Sequence, residues 1–117
     1  MSAGGNGAGG PAQIVIVANV WVKEEHLDRV LDLLEQDVVF THENEPDVKK
    51  FALHRDVDDP LHFTMIEAFP DQAALDAHRA TDFYRELMAE LPDLLERRDR
   101  LVLAPVGFGD PERAHIA

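Results

Sequence analysis

Few side chains in this sequence have the chemistry and the setting of catalytic groups, and two of them stand at a predicted turn. His78 follows Glu67 by eleven residues, across the turn from a predicted strand into a predicted helix. A carboxylate bonded to one ring nitrogen of a histidine fixes its tautomer and leaves the other nitrogen as a base near neutral pH. The pair therefore has two interpretations: a proton-transfer pair, or a structural clasp that holds the helix to the sheet.

Asn19 interrupts an otherwise apolar predicted strand. A buried amide without partners costs about 1–3 kcal/mol, so Asn19 is either a satisfied structural amide or a donor to a ligand oxygen. Trp21 lies on the same strand face, where its indole N–H is a second candidate donor and its ring a candidate for the core. The sequence leaves open whether Asn19 and His78 face one pocket.

Other charged and imidazole side chains give weaker signals. Arg55 and Arg79 lie near the expected pocket, either as binders of an anionic substrate or as exposed ion-pair partners. His54 and His62 flank a predicted hairpin turn, but their spacing with His78 matches no metal-binding motif. We therefore predict no metal site.

Several residue types are absent from the places where other chemistries need them. The chain has no cysteine, its one serine is Ser2, and no glycine occurs between Pro11 and Val106. This excludes thiolate and serine nucleophiles as well as the glycine-rich loops that bind phosphates and dinucleotides, so no cofactor is predicted. The formal net charge of −12 opposes binding to nucleic acid or to anionic membranes. With no basic and apolar leader, we expect a cytoplasmic protein.

The 117 residues predict one domain, at 13–106, between a Gly-rich disordered leader at 1–12 and a tail at 107–117. Hydrophobic periodicity, turn residues and prolines divide this domain into four strands and three helices. They are a strand at 13–22, a helix from Lys23 to about Asn44, a hairpin of strands at 48–57 and 61–69, a pair of short helices capped by Asp71 and Thr81, and a strand at 101–106.

The order β-α-β-β-α-β predicts an α+β ferredoxin-like fold with an antiparallel sheet. The first and last predicted strands are apolar on both faces, whereas helices can cover only one face of the sheet. A second copy of the same sheet is the simplest cover for the other face. We therefore predict a homodimer.

Residues 67–84, EAFPDQAALDAHRATDFY, resemble the signature of the antibiotic biosynthesis monooxygenase superfamily. In that family a strand ends in Glu-x-aromatic, a helix carries Ala-Leu-x-x-His, and an aromatic pair follows. The segments EPDVKKF at 45–51 and HRDVDDP at 54–60 also fit, although Asp47 stands where glycine is usual. The resemblance covers about residues 13–106 and implies a dimeric α+β barrel of the quinol monooxygenase type.

The resemblance implies a cofactor-independent monooxygenase that oxidises a small phenol or quinol with O2. His78 would be the base, with Glu67 and Asn19 as further catalytic groups in a pocket between the sheet and the helices. The expected substrate-binding residues are Val17, Trp21, Arg55, Phe63, Met65, Phe83 and Tyr84, with Leu87 as a further wall. Two alternatives remain open: an isomerase of a small phosphorylated dione, and a non-catalytic dimeric ligand-binding protein.

Overall fold

The computed structural model describes residues 11–107, so most of the predicted leader and tail lies outside the described residues. Four strands and three α-helices form the domain. They are β1 (Ile14–Val22), α1 (Leu27–Asn44), β2 (Lys50–Arg55), β3 (His62–Phe69), α2 (Gln72–Arg79), α3 (Asp82–Glu90) and β4 (Leu95–Leu103). Short 3₁₀ turns at Glu24–His26 and Leu91–Leu94 lead into α1 and β4.

The sheet has the strand order β2-β3-β1-β4, and all neighbouring strands are antiparallel. This arrangement confirms the predicted α+β ferredoxin-like fold. β1 lies between β3 and β4, which explains its β-branched composition, because a central strand packs side chains on both faces. Residues with even numbers on β1, such as Ile16 and Val22, face the helices and are buried.

α2 and α3 begin at the predicted caps, whereas α1 begins at Leu27, four residues after the predicted start at Lys23. The side chain of Asp71 accepts a hydrogen bond from the backbone N–H of Ala74, and that of Thr81 accepts from Tyr84. These are the N-caps of α2 and α3, as predicted. The Thr81 hydroxyl also donates to the carbonyl of His78, so one threonine fixes the turn between the two helices. α1 ends at Asn44, immediately before Glu45 and Pro46.

The last strand differs from the prediction. We expected it at 101–106, but β4 covers Leu95–Leu103 and ends before Pro105. The charged segment ERRDR at 96–100 has low strand propensity, and it becomes a strand through its pairing with β1 from Val15 to Val22. As a result Arg98 and Arg100 face the helix side of the sheet, opposite Val20 and Ala18.

Helices cover one face of the sheet and leave the other open. The core lies on the covered face, where Phe63 packs with Val30, Leu34 and Leu87. The open face carries Val17 and Leu101 as a cross-strand pair, with Leu101 57% exposed. The apolar character expected for this face is therefore present only in part, because Asn19, His62 and Arg97 make the rest of the face polar. No helix within residues 11–107 is long and apolar enough to cross a membrane.

Candidate active site

A cavity of about 460 Å³ lies between the covered face of the sheet and the three helices. We call it the central cavity. Its size is within the range of about 300–1,000 Å³ that is usual for small-molecule sites. Its apolar walls come from every element around it and include Leu34, Leu53, Phe63, Met65, Leu87 and Met88.

His78 occupies one end of the central cavity and is held on all sides. Its side chain is 3% exposed and lies against the rings of Phe51, Phe69 and Tyr84, with centroid distances of 5.2, 5.5 and 5.3 Å. The position follows from the local sequence, because Thr81 ends α2 and starts α3 directly after His78. The ring therefore has a fixed position in the cavity wall.

The partner of His78 is Glu45 and not Glu67. Nδ1 of His78 lies 2.9 Å from Oε1 of Glu45, the residue that follows α1. The prediction of a Glu67–His78 contact is therefore wrong in its partner, although a carboxylate does orient the histidine. With Glu45 ionised, Nδ1–H is the donor and Nε2 keeps its lone pair for an incoming proton.

Glu67 faces the central cavity from β3, in the strand row that contains Ile16 and Phe51. Burial raises the pKa of Glu67 to about 8, and the negative charge of Asp37 adds to this rise. The positive charges of Arg100 and Arg79 lower the pKa of Glu67, but by less than burial raises it. At neutral pH most of Glu67 is thus a protonated acid that can donate a hydrogen bond into the cavity.

Asp37 is a cavity residue that the sequence analysis missed. It lies in the middle of α1, is 6% exposed, and its Oδ1 has no hydrogen-bond partner among the described residues. Burial, followed by the charge of Glu45, raises its pKa to about 7. The sequence pattern that could have indicated its burial is its spacing, three residues after Leu34 and four before Thr41. This spacing places Asp37 on the face of α1 that packs on the sheet.

Buried polar atoms continue from Asp37 along this stripe. Thr41 Oγ1 and Glu45 Oε2 also lack hydrogen-bond partners within residues 11–107. Asp37, Thr41 and Glu45 are spaced four residues apart, so they lie above one another on one helix face. Buried polar groups are normally paired, and of these three residues Asp37 is the one that lines the central cavity, where a ligand group can complete it.

Asn19 and Trp21 do not share this environment. Asn19 borders the cavity, but its side-chain amide is on the open face, where Oδ1 accepts from Thr64 Oγ1 at 2.6 Å and lies 2.8 Å from His62 Nε2. Its Nδ2 donates to Asp99. The side-chain contacts of Asn19 are those of a satisfied structural amide. They lie on the face of the sheet opposite to His78, although Asn19 and His78 both border the central cavity.

Trp21 lies between His62 and Arg97 on the open face. Its ring stacks on His62 with a centroid distance of 4.3 Å, and the guanidinium of Arg97 lies 3.5 Å from its ring centroid. It belongs neither to the core nor to the cavity wall.

The remaining predicted residues divide between the cavity and other places. Phe63, Met65, Tyr84, Arg79 and Leu87 line the cavity. Val17 is on the open face, because it pairs with Ile66 and Leu101. Phe83 stacks on Phe40 at 4.5 Å, and Arg55 lies over the ring of Phe63 at 4.7 Å. Within the described residues no group of acidic, histidine or cysteine side chains has a metal-binding arrangement.

Comparison with known proteins places the chain among relatives of this fold. The chain is 30% identical to an antibiotic biosynthesis monooxygenase of known crystal structure, with a TM-score of 0.73 over 80% of this chain and 99% of that one. A protein of Shewanella oneidensis is 27% identical, with a TM-score of 0.75 over 82% and 93% of the two chains.

A relative of known sequence matches a similar part of this chain. An uncharacterized protein of Synechocystis is 29% identical over 84 residues, which are 72% of this chain and 56% of that protein. The chain thus spans about half the length of this curated relative. The family model described as antibiotic biosynthesis monooxygenase matches residues 13–90. These matches confirm the resemblance, and the chain belongs to the antibiotic biosynthesis monooxygenase family.

Proposed function

We propose that this protein is a cofactor-independent monooxygenase that oxidises a small phenol or quinol with O2 in the central cavity. The observation that carries the proposal is His78, a buried imidazole in the cavity wall whose Nδ1 is bound to Glu45. Its family membership supports a small-molecule reaction of this kind. The apolar walls supply a site with little water, where a charge that forms is strongly influenced by nearby dipoles.

The first step of the proposed reaction is removal of a proton. Nε2 of His78 takes the phenolic proton, and Glu45 stabilises the imidazolium that results. The substrate anion passes one electron to O2, and the two radicals join to form a C–O bond. The substrate therefore activates oxygen by its own electron density.

The second part of the reaction needs a proton donor. The peroxide anion takes up a proton to give a hydroperoxide, and Glu67, mostly protonated at neutral pH, is placed in the cavity to supply it. The hydroperoxide then loses water and leaves a carbonyl group. One atom of O2 enters the product and the other enters water, and the four electrons come from the substrate.

We further propose that the protein works as a homodimer. The open face of the sheet carries the exposed apolar side chains of Leu101 and Leu103, at 57% and 44% exposure. It also holds Trp21, between His62 and Arg97. Asn19 and Trp21 then belong to the surface between the two copies and not to the chemistry, which replaces their expected role as donors to the substrate.

One observation favours a second candidate function. An isomerase of a phosphorylated dione needs a phosphate binder next to its base, and Arg79 lines the cavity that contains His78. Arg55, the other predicted candidate, does not line it and instead stacks on Phe63. Turnover of a phosphorylated dione without oxygen uptake would identify this function.

Oxygen uptake by the purified protein tests the proposal. Naphthoquinols and anthrone-like phenols are supplied without added metal or cofactor, and wild type is compared with His78→Gln and with His42→Gln, a change at an exposed histidine on α1. We expect saturable uptake above autoxidation that His78→Gln lowers about 10²–10⁴-fold, while His42→Gln leaves it unchanged. Equal uptake by wild type and His78→Gln would contradict the assignment of the base.

A further inference from the structure

Three arginines line the central cavity next to its acidic part. Arg79 lies at the end of α2, and Arg98 and Arg100 lie on β4, where both face the helix side of the sheet. We call these three residues the arginine cluster. They come from two different elements and border one cavity, so a single ligand can contact all of them.

The arginine cluster has no counter-charge among the described residues. No acidic oxygen within residues 11–107 is at ion-pair distance from these three guanidinium groups, and Arg98 instead donates a hydrogen bond to the sulfur of Met88 at 3.7 Å. The chain nevertheless has 23 acidic residues against 11 basic ones. Arg98 and Arg100 are exposed and Arg79 is half-buried, so water reaches these guanidinium groups and an anionic group of a ligand can take its place.

The other arginines provide the contrast. Arg29 binds Glu90 at 2.6 Å, Arg85 binds Asp82 at 3.3 Å, and Arg97, which precedes Arg98 on β4, binds Asp99 at 3.7 Å. Acidic partners are thus available on the neighbouring surface. The three arginines that line the cavity have no ion pair within residues 11–107, and Arg55, which also has none, lies over the ring of Phe63 instead.

Glu67 is not the partner of the arginine cluster. Its carboxyl group is near enough to Arg100 and Arg79 to be influenced by them, but burial outweighs them and the group stays mostly protonated at neutral pH. The cavity therefore has two parts: a proton-donating part with Glu67 and Asp37, and a cationic part with the arginine cluster. A ligand that fits both has an uncharged hydroxyl or carbonyl at one end and an anionic group at the other.

We propose that the arginine cluster is a binding site for an anionic group of the substrate, a carboxylate or a phosphate ester. Guanidinium groups bind both anions through paired N–H donors. This inference rests on the proposed function, because it names a charge on the substrate of the same cavity. It also makes Arg98 and Arg100, which the predicted strand boundaries excluded, determinants of substrate specificity.

Calorimetric titration without oxygen tests the inference with three probes: naphthol, hydroxynaphthoate and naphthyl phosphate. We expect the better of the two anionic probes to bind wild type about tenfold or more tightly than naphthol, as for charged hydrogen bonds. Arg79→Gln and Arg100→Gln should remove this preference and leave the affinity for naphthol unchanged. Added salt should weaken only the anionic probes. The preferred anion identifies the ligand group as a carboxylate or a phosphate.

A matched control is Arg85→Gln, at an exposed arginine on α3 that does not line the cavity. It should keep the full preference for the anionic probe. Equal affinities of all three probes for wild type, a preference that survives in both cluster variants, or no binding of any probe at millimolar concentration would each overturn the inference.

The absence of oxygen separates this inference from the proposed reaction. A preference for anions together with no oxygen uptake in air would support the arginine cluster and contradict the monooxygenase. Oxygen uptake with naphthol and no preference for anions would support the monooxygenase and overturn the role of the cluster.

Discussion

Replacing Asp37 by asparagine should stabilise the protein in alkaline solution. Asp37 is 6% exposed on α1, and Oδ1 has no partner among the described residues. Burial raises its pKa from an ordinary value of 3.8 to about 7. Between about pH 4 and pH 7, Asp37 therefore keeps its proton in the folded state, whereas it has lost that proton in the unfolded state.

The sign and size of the effect follow from this difference. Because the folded-state pKa is the higher one, the free energy of unfolding is unaffected by Asp37 below about pH 4 and falls as the pH rises towards 7. A rise of about three pKa units corresponds to about 4 kcal/mol, which is fully expressed above pH 7. Asparagine has nearly the same shape and does not ionise, so it removes this loss.

Urea denaturation of wild type and Asp37→Asn at pH 5, 7 and 9 measures the effect. We expect the variant to gain stability progressively, to about 4 kcal/mol at pH 9. Asp32→Asn, at an exposed aspartate on the same helix, is the control and should change stability by less than about 1 kcal/mol at each pH. A difference between wild type and Asp37→Asn that does not depend on pH, or a variant that is less stable at pH 9, would refute the reasoning.

Three further predictions concern the base, the dimer and the core. Glu45→Gln removes the carboxylate bound to His78 Nδ1 and should lower the rate of oxygen uptake about 10- to 100-fold, with little change in the substrate KM. This loss is smaller than that expected when His78 itself is replaced. Unchanged uptake would mean that Glu45 does not orient the base. Leu101→Lys places a charge on the open face and should convert a dimer into monomers in size-exclusion chromatography with light scattering, whereas an unchanged dimer would show that another surface joins the copies. Leu75→Ala removes a 2% exposed side chain from the core under α2 and should lower the free energy of unfolding by about 2–5 kcal/mol in urea; a loss below 1 kcal/mol would show that the site collapses around the gap.

The sequence predicted the order of elements because each one has a strong local signal. β1 is a run of β-branched residues, α1 has an apolar stripe, and Asp71 and Thr81 cap the next two helices as observed. The boundaries predicted for β4 were wrong because the charged residues at 96–100 have low strand propensity of their own. These residues become a strand because they pair with β1, which lies far away in the sequence, and local sequence patterns do not reveal such a contact.

The candidate site was predicted only in part, for a similar reason. His78 was correctly identified as a residue held by a carboxylate, but the choice of Glu67 over Glu45 relied on closeness in sequence. The actual partner is 33 residues away, at the end of α1. Asp37 escaped notice because an aspartate inside an amphipathic helix is usually exposed, whereas this one is 6% exposed.

Asn19 shows what strand register adds to sequence reasoning. An amide in an apolar strand has to be satisfied, but β1 has neighbours on both sides and apolar residues on both faces. Only the pairing of Asn19 with Thr64 and Asp99 assigns it to the open face. The residues of the expected pocket therefore separate into two groups, one on each side of the sheet.

Selective isotope labelling tests most directly that the central cavity, and not the open face, binds the substrate. Met65 and Met88 both line the cavity, and Trp21, the one tryptophan of the chain, lies on the open face. Naphthol is added without oxygen to protein labelled at the methionine methyl groups and the tryptophan indole. We predict that the NMR signals of Met65 and Met88 shift in a saturable way while the Trp21 indole signal stays in place. A shift of the Trp21 signal with unchanged methionine signals would contradict the account.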